Sequence, residues 1–269
     1  MATSALNAAA TGLGALSTQI DVIANNLANV NTTGFRRSRV NFEDLLYQQL
    51  AAAGTKNSEG STKPAGIFIG LGVRVSNTQT MFNQGNLDST DRELDVAIDG
   101  DGFFQVKIPN TFGTEVGYTR AGNLGLTPDG ELVLGNSDGF KLEPPISIPA
   151  EATRVDIATD GKVYVTIPSA IEPQEVGQIQ LARFSNPAGL RPIAGTLFVE
   201  TESSGPPTTA YPTEQGMGRL LQKFVEASNV DPVRELVELI RAQRAFELNS
   251  QSIQSADEML QVVANLRRF

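Results

Sequence analysis

Both ends of the chain carry an apolar or small residue at every seventh position, the pattern of a helix that packs along a partner. Near the N-terminus the two rows are Leu6, Leu13, Ile20 and Leu27, and Ala9, Leu16, Ile23 and Val30. Near the C-terminus they are Leu239, Phe246, Ile253 and Leu260, and Ala242, Asn249, Ala256 and Val263. We call these four rows the terminal seams. They predict two long helices that pair with each other as a coiled coil.

Local signals mark where these helices begin and end. Asp231 followed by Pro232 is a strong helix start, because proline at the first helical position gives up an amide that has no partner there. A helix from Pro232 to about Leu266 would be roughly 50 Å long. The N-terminal helix is expected to run through Val30 and to end in the turn residues 31–34, with Gly34 left-handed. Gly34, Phe35, Arg36 and Arg37 would then form the joint between helix and body.

The polar faces of both helices are unusually neutral. Between Met1 and Phe35 the only charged residue is Asp21, and residues 248–256 carry no charge. Solvated helix faces normally carry Lys and Glu, whereas small, hydrogen-bonding faces suit a helix packed on several sides by protein. We therefore expect the amides that lie off the seam to bond to neighbouring chains: Asn25, Asn26 and Asn29.

Between the two helices the apolar period changes to two, and Asp-Gly pairs recur as turn signals at 101–102, 129–130, 138–139 and 160–161. Frequent prolines from position 144 onwards limit helix formation there. The prediction is an α+β protein with a central antiparallel β-rich body. We divide it into a helical domain (1–33 with 230–269), a connecting segment (34–75) with an extended arm at about 48–66, and a β-rich outer domain (76–229).

Composition excludes several classes of function. The formal net charge of −9 disfavours nucleic-acid binding, which needs clustered Lys and Arg. Cysteine and histidine are absent, which removes thiol chemistry, Cys/His metal sites and every histidine-based catalytic mechanism. No apolar run reaches 18 residues, so we expect no membrane insertion. The N-terminus lacks the basic start and apolar core of a cleaved signal peptide.

Two motifs suggest ligand chemistry without meeting its requirements. The stretch "IDGDGF" resembles a calcium loop, but counted from Asp99 its positions 5 and 12 are Phe103 and Asn110 rather than oxygen ligands. The acidic group at positions 88–101 could hold a glycosidase pair, yet nothing in the sequence sets the required separation. We therefore expect no enzymatic activity, no metal and no cofactor.

Three segments closely resemble the flagellar axial proteins, the rod and hook subunits: "DVIANNLANVNTTGFRRSRVNFEDLLYQ", "DVAIDGDGFFQV" with "YTRAGNL", and "EASNVDPVRELVELIRAQRAFELNSQSIQSADEMLQ". Together they cover both termini and the centre. Within the family, the chain length and the arm after "FEDLLYQ" are most similar to the distal-rod subfamily. In that subfamily an extra stretch at this place is implied to pack between neighbours and stiffen the rod.

The resemblance implies a structural subunit that polymerises helically into the hollow shaft carrying torque from motor to hook. Its implied partners are further copies of itself, the proximal-rod proteins, the hook protein, and the P and L ring proteins as bushing. Export through the flagellar export apparatus, without a cleaved signal peptide, would bring it to the basal body, where the rod crosses the periplasm.

Two alternatives remain open at this point. The chain could be a proximal-rod or hook subunit of the same family. From a different class, it could be a periplasmic or surface carbohydrate-active β-domain with helical tails.

Overall fold

A long helix lies at each end of the sequence and short strands fill the middle in this computed structural model, which describes residues 2–54, 65–110, 113–168 and 172–266. Helix α1 is Ala2–Ala28 and helix α2 is Pro232–Leu266. The α+β prediction is confirmed. Contacts divide the chain into two units: residues 1–27, 38–79 and 231–269 form the first, and residues 28–37 and 80–230 form the second.

The first unit holds both helices and two strand pairs. Strand β1 pairs with β4, and β2 pairs antiparallel with β3. The last residue of β4 falls in the second unit. The strands are β1 (Ser38–Asp44), β2 (Tyr47–Ala51), β3 (Ile67–Gly70) and β4 (Val73–Thr80). The predicted arm at 48–66 therefore begins inside β2, and its residues 55–64 lie outside the described part of the chain.

The second unit is built from short strands around one main core. They are β5 (Leu87–Ser89), β6 (Val96–Asp99), β7 (Phe103–Lys107), β8 (Val116–Thr119), β9 (Leu124–Leu126), β10 (Leu132–Leu134), β11 (Arg154–Ile157), β12 (Lys162–Thr166), β13 (Gln174–Gln178), β14 (Leu181–Arg183), β15 (Arg191–Pro192), β16 (Leu197–Val199), β17 (Thr208–Ala210), β18 (Arg219–Gln222) and β19 (Phe224–Glu226).

These strands form a six-stranded sheet in the order β15-β16-β8-β7-β14-β17, a three-stranded sheet β11-β12-β13, and the pairs β9-β10, β6-β18 and β5-β19. Every pair in this unit with a defined register is antiparallel, as predicted. The period-two pattern is visible in β12, where Val163 and Val165 are fully buried and their neighbours are only half-buried.

The Asp-Gly turn predictions are confirmed. Gly102, Gly130, Gly139 and Gly161 all have positive φ angles. The turn at Gly130 joins β9 to β10, and the turn at Gly161 joins β11 to β12. These are local signals, because glycine adopts positive φ without the steric cost that other residues incur.

The predicted helix boundaries are also close to those observed. Helix α2 begins at Pro232, and the Asp231 carboxylate accepts hydrogen bonds from the backbone N–H groups of Val233 and Arg234 (3.0 and 3.3 Å). Helix α1 ends at Ala28, two residues before the expected Val30. Gly34 is left-handed, with a φ of 71°, and a Cβ there would come within 2.5 Å of the backbone nitrogen of Ala121. Only glycine fits this position.

Candidate functional site

Two contacts in the first unit join helices α1 and α2. The Asn26 side-chain amide donates to Glu235 Oε2 (3.2 Å), and a Cβ on Gly12 would lie 3.4 Å from Nδ2 of Asn249. The two contacts are fourteen residues apart on each helix. The earlier residue on α1, Gly12, meets the later residue on α2, Asn249. The helices therefore approach each other antiparallel, in the same register at both points.

Apart from Ile23, the residues buried deepest on these helices are small or polar. On α1 they are Ala15, Ile23 and Asn26, and on α2 they are Glu235 and Ala242. Most of the larger predicted seam residues are half-buried: Leu6, Leu13, Leu16, Ile20, Leu27, Val30, Leu239, Asn249 and Ile253. Phe246 and Leu260 are exposed, and the side chain of Val263 lies outside the described part. Within one chain, much of the predicted apolar seam is thus still in contact with solvent.

Asn26 occupies a central position in the first unit. Its Nδ2 donates to the carbonyl of Ser38 (2.8 Å) as well as to Glu235, and its Oδ1 accepts from the N–H of Ser38 (2.9 Å). The side chain therefore ties the end of α1 to the start of β1 and to the first turn of α2. The expectation that this amide bonds to a neighbouring chain is wrong, because it is 1% exposed and its hydrogen bonds lie within its own chain. Asn25 is exposed and Asn29 half-buried.

In the second unit, Asn229 links the three segments at which the chain leaves that unit. Its Oδ1 accepts from the backbone N–H of Arg37 (2.7 Å), and its Nδ2 donates to the carbonyls of Met81 and Asn83 (2.8 and 2.9 Å). A backbone bond from Met81 N–H to the carbonyl of Arg37 (2.8 Å) closes the arrangement. One amide side chain thus satisfies backbone groups from two segments that are far apart in sequence, one just before β1 and one just after β4.

A buried charge cluster lies close by in the same unit. Glu226 accepts from Arg36 Nη2 (2.6 Å), from Arg120 Nη1 (3.4 Å) and from the backbone N–H of Gly85 (2.8 Å). The side chains of Arg36 and Glu226 are fully buried, and that of Arg120 is 5% exposed. The carbonyl of Glu226 also accepts from the N–H of Gly34 (2.8 Å), so the cluster holds the predicted joint residues.

Burial lowers the pKa of Arg120 to about 10, against the opposing attraction of Glu226. The group therefore stays charged at neutral pH, and its guanidinium lies 5.3 Å from the ring centre of Phe103. Of the joint residues predicted from sequence, Gly34 and Arg36 are buried, while Phe35 and Arg37 are half-buried. Sequence reasoning missed Glu226, Asn229 and Arg120, because their partners are distant in the sequence.

Two apolar surfaces are exposed in the first unit. On α2, Val233, Leu236, Val237 and Ile240 are 44–70% exposed and lie on the face opposite Glu235 and Ala242; we call them the α2 outer face. On the β2–β3 pair, Leu46, Tyr47, Leu50, Ile67 and Phe68 are 52–83% exposed; we call them the β2–β3 ribbon. Contiguous exposed apolar surfaces of this kind mark interaction sites.

The described residues were also compared with the requirements of a metal site and of a membrane-spanning helix. Across the described residues, no group of three or more Asp, Glu, His or Cys side chains could hold a metal ion. In the same part of the chain, no helix is long and apolar enough to cross a membrane. The arrangements found join backbone segments and present apolar surfaces, which suits assembly.

Three family profiles match the chain. Residues 3–36 match the flagella basal body rod protein profile, residues 97–165 the D1 domain of the flagellar hook protein FlgE/F/G, and residues 221–266 the C-terminal part of the flagellar basal body rod FlgEFG proteins. These segments include α1, the centre of the second unit and α2.

Curated relatives match over nearly the whole length. The flagellar basal-body rod protein FlgG of Caulobacter vibrioides is 45% identical over 98% of this chain and 99% of its own. That of Borreliella burgdorferi is 45% identical over 98% of both chains, and that of Bacillus subtilis 40% identical over 96% of both.

Proposed function

The chain belongs to the flagellar basal-body rod protein family, and from this premise we propose that it is a structural subunit of the distal rod that polymerises helically into a hollow drive shaft. The observation that carries the proposal is the likeness to FlgG proteins of 40–45% identity along almost the entire chain. A match of this extent covers both helices as well as the β-rich units. The relatives are named as rod proteins, not as enzymes.

We propose that α1 and α2 pair as an antiparallel coiled coil. The Asn26–Glu235 and Gly12–Asn249 contacts support it, since both fit one register. The same register would place Gln19 opposite Ala242 and Ala5 opposite Ala256. The alanines at these layers allow close approach of the backbones, and the polar layers would fix the register as a buried Asn does in coiled coils.

The half-buried leucines of α1 and the α2 outer face would form the contacts between copies. Burying one Leu, Ile or Val side chain stabilises an assembly by about 1.5–3 kcal/mol. The α2 outer face offers four such residues that one chain alone leaves in water. A helical polymer repeats this gain at each subunit, which explains why a single chain can tolerate the exposed surface.

The β2–β3 ribbon would act as the predicted arm, packing between neighbouring copies. A two-stranded ribbon is marginally stable on its own in water and gains stability from a third surface. Its five exposed apolar side chains supply the area for such packing. Residues 55–64, which complete the arm in the sequence, lie outside the described part.

Torque transmission also requires a subunit that resists bending where its chain passes between units. In the first unit the Asn26 contacts tie three segments together, and in the second unit Asn229 and Glu226 do the same. We propose that these contacts stiffen the joint residues 34–37. The further partners would be proximal-rod proteins, the hook protein and the P and L ring proteins. The subunit would leave the cell through the flagellar export apparatus.

The experiment replaces residues 46–68 in the chromosomal gene with a Gly/Ser segment of equal length, which removes all five exposed apolar side chains of the ribbon. A distal-rod role predicts basal bodies whose rod is shorter, bent or missing beyond its proximal part, together with a loss of swimming. The matched control replaces only residues 55–64 in the same way and so keeps the apolar ribbon. Normal rods in cells carrying the full replacement would contradict the role of the arm, and normal rods in cells lacking the gene would contradict the proposed function itself.

A further inference from the structure

A cavity of about 220 Å³ lies within the second unit beside Arg120. The lining residues that matter here are Phe82, Asp101, Phe103, Arg120, Arg183 and Ser185. We call it the Arg120 cavity. Pockets for cofactors and drug-sized ligands usually measure about 300–1,000 Å³. This cavity is smaller and suits a single side chain.

Arg120 lines this cavity and also carries a buried hydrogen-bond donor that has no partner among the described residues. Its Nη1 donates to Glu226 (3.4 Å) and its Nη2 to the carbonyl of Gly100 (2.8 Å). Its Nε is buried, and no hydrogen bond joins it to any residue that the structure describes. Buried donors are normally paired, so the guanidinium of Arg120 is incompletely satisfied within its own chain.

The charges around the cavity favour a negative occupant. Arg36 and Arg120 share the single carboxylate of Glu226, which leaves one positive charge in excess in this buried cluster. Asp101 and Arg183, both exposed, carry opposite formal charges at the cavity and offset each other. The Phe82 and Phe103 rings keep part of the wall apolar, and an ion pair is stronger in such surroundings than in water.

We propose that the Arg120 cavity receives the carboxylate of an aspartate or glutamate side chain from a second copy of the chain. This rests on the proposed function, because polymerisation is what brings copies together. The chain carries 30 acidic residues against 21 basic ones, so its own surface is rich in suitable carboxylates. Arginine flanked by aromatic rings is also the composition typical of interface hot spots.

The carboxylate preference can be tested on the isolated chain by NMR titration with N-acetylglutamate. Ser185 is exposed and lines the cavity, so substitutions there should leave the fold intact. Ser185→Glu supplies a carboxylate from the same chain and should weaken binding of the probe by about 10-fold or more through competition and repulsion. Ser185→Gln is the matched control, with the same size and no charge, and should bind the probe as the unmodified chain does.

Two outcomes of this titration overturn the carboxylate preference. One is no binding of N-acetylglutamate to the unmodified chain, and the other is equal loss in both variants. The second would show that the cavity responds to side-chain size and not to charge. Neither outcome depends on whether the protein polymerises.

The identity of the occupant is tested in assembled basal bodies. The chain has no cysteine, so Ser185→Cys provides one thiol for a photoreactive cross-linker. We expect cross-links to a segment containing Asp or Glu on a second copy. Cross-links to other proteins alone, or none, would overturn the second copy as occupant. If the chain is missing from purified basal bodies, the proposed function fails with it, whereas the titration still reports on the cavity itself.

Discussion

Substituting Glu226 by glutamine should destabilise the second unit far more than a typical loss of an ion pair. The carboxylate is fully buried and accepts from Arg36, Arg120 and the N–H of Gly85. Glutamine keeps the volume and one acceptor oxygen but leaves two buried guanidinium groups without a counter-charge. Removing one partner of a buried pair costs about 3–5 kcal/mol. Because the Gly85 hydrogen bond can survive, we expect a loss near the lower end, about 3 kcal/mol.

Glu175→Gln is the matched control in the same unit, since it removes the same group from the ion pair with Lys162. In that pair the Lys162 side chain is 37% exposed and that of Glu175 47%. Exposed pairs contribute about 0–1 kcal/mol, so this variant should unfold almost as the unmodified chain does.

Urea unfolding measures the difference between these two variants. For typical slopes of about 1–3 kcal/mol/M, a loss of about 3 kcal/mol lowers the midpoint by about 1–3 M. Three of the four tyrosines lie in the second unit, so tyrosine fluorescence and near-UV circular dichroism report mainly on it. Equal midpoints for Glu226→Gln and Glu175→Gln would refute the reasoning that the buried cluster holds this unit together.

Three further predictions concern pH, helix pairing and assembly. Burial, followed by repulsion from Glu200, raises the pKa of Tyr118 from 10 to about 12, so the folded state keeps a proton that the unfolded chain loses. This contribution to the free energy of unfolding is complete below pH 10 and is lost as the pH rises toward 12. Tyr118→Phe should therefore show a smaller fall in stability over this pH range, as measured by thermal unfolding. Gly12→Leu should disrupt pairing of the helices and lower the helical circular dichroism signal. Gly14→Leu is the control, because a Cβ at Gly14 meets nothing within 4 Å, and it should raise helix stability by up to about 1 kcal/mol. Equal effects of the two substitutions would contradict the pairing. Leu236→Asp, on the α2 outer face, should abolish rod formation without changing the midpoint of urea unfolding, and the exposed control Gln243→Asp should assemble normally in electron micrographs.

Local signals in the sequence were sufficient for much of the fold. Pro232 begins α2 where predicted, Gly34 adopts the left-handed conformation, and the Asp-Gly pairs mark the turns of two hairpins. Each of these depends on one residue and its immediate neighbours, which the sequence shows directly. The period-two pattern of β12 is equally local.

The contacts that hold each unit together could not be predicted, because they join distant positions. Asn26 meets Glu235 across 209 positions, and Arg36 meets Glu226 across 190. A seven-residue repeat predicts that a helix packs against a partner, but it does not show which side of the apolar stripe the partner contacts. Helix α2 is apolar on two opposite faces, and its deepest residues, Glu235 and Ala242, are not the large apolar ones.

Electron cryomicroscopy of purified basal bodies tests most directly whether this chain builds the distal rod. We expect that the chain can be traced in the rod between its proximal part and the hook, in many helically related copies. A rod in which that section is traced by another protein, with this chain found elsewhere or not at all, would contradict it.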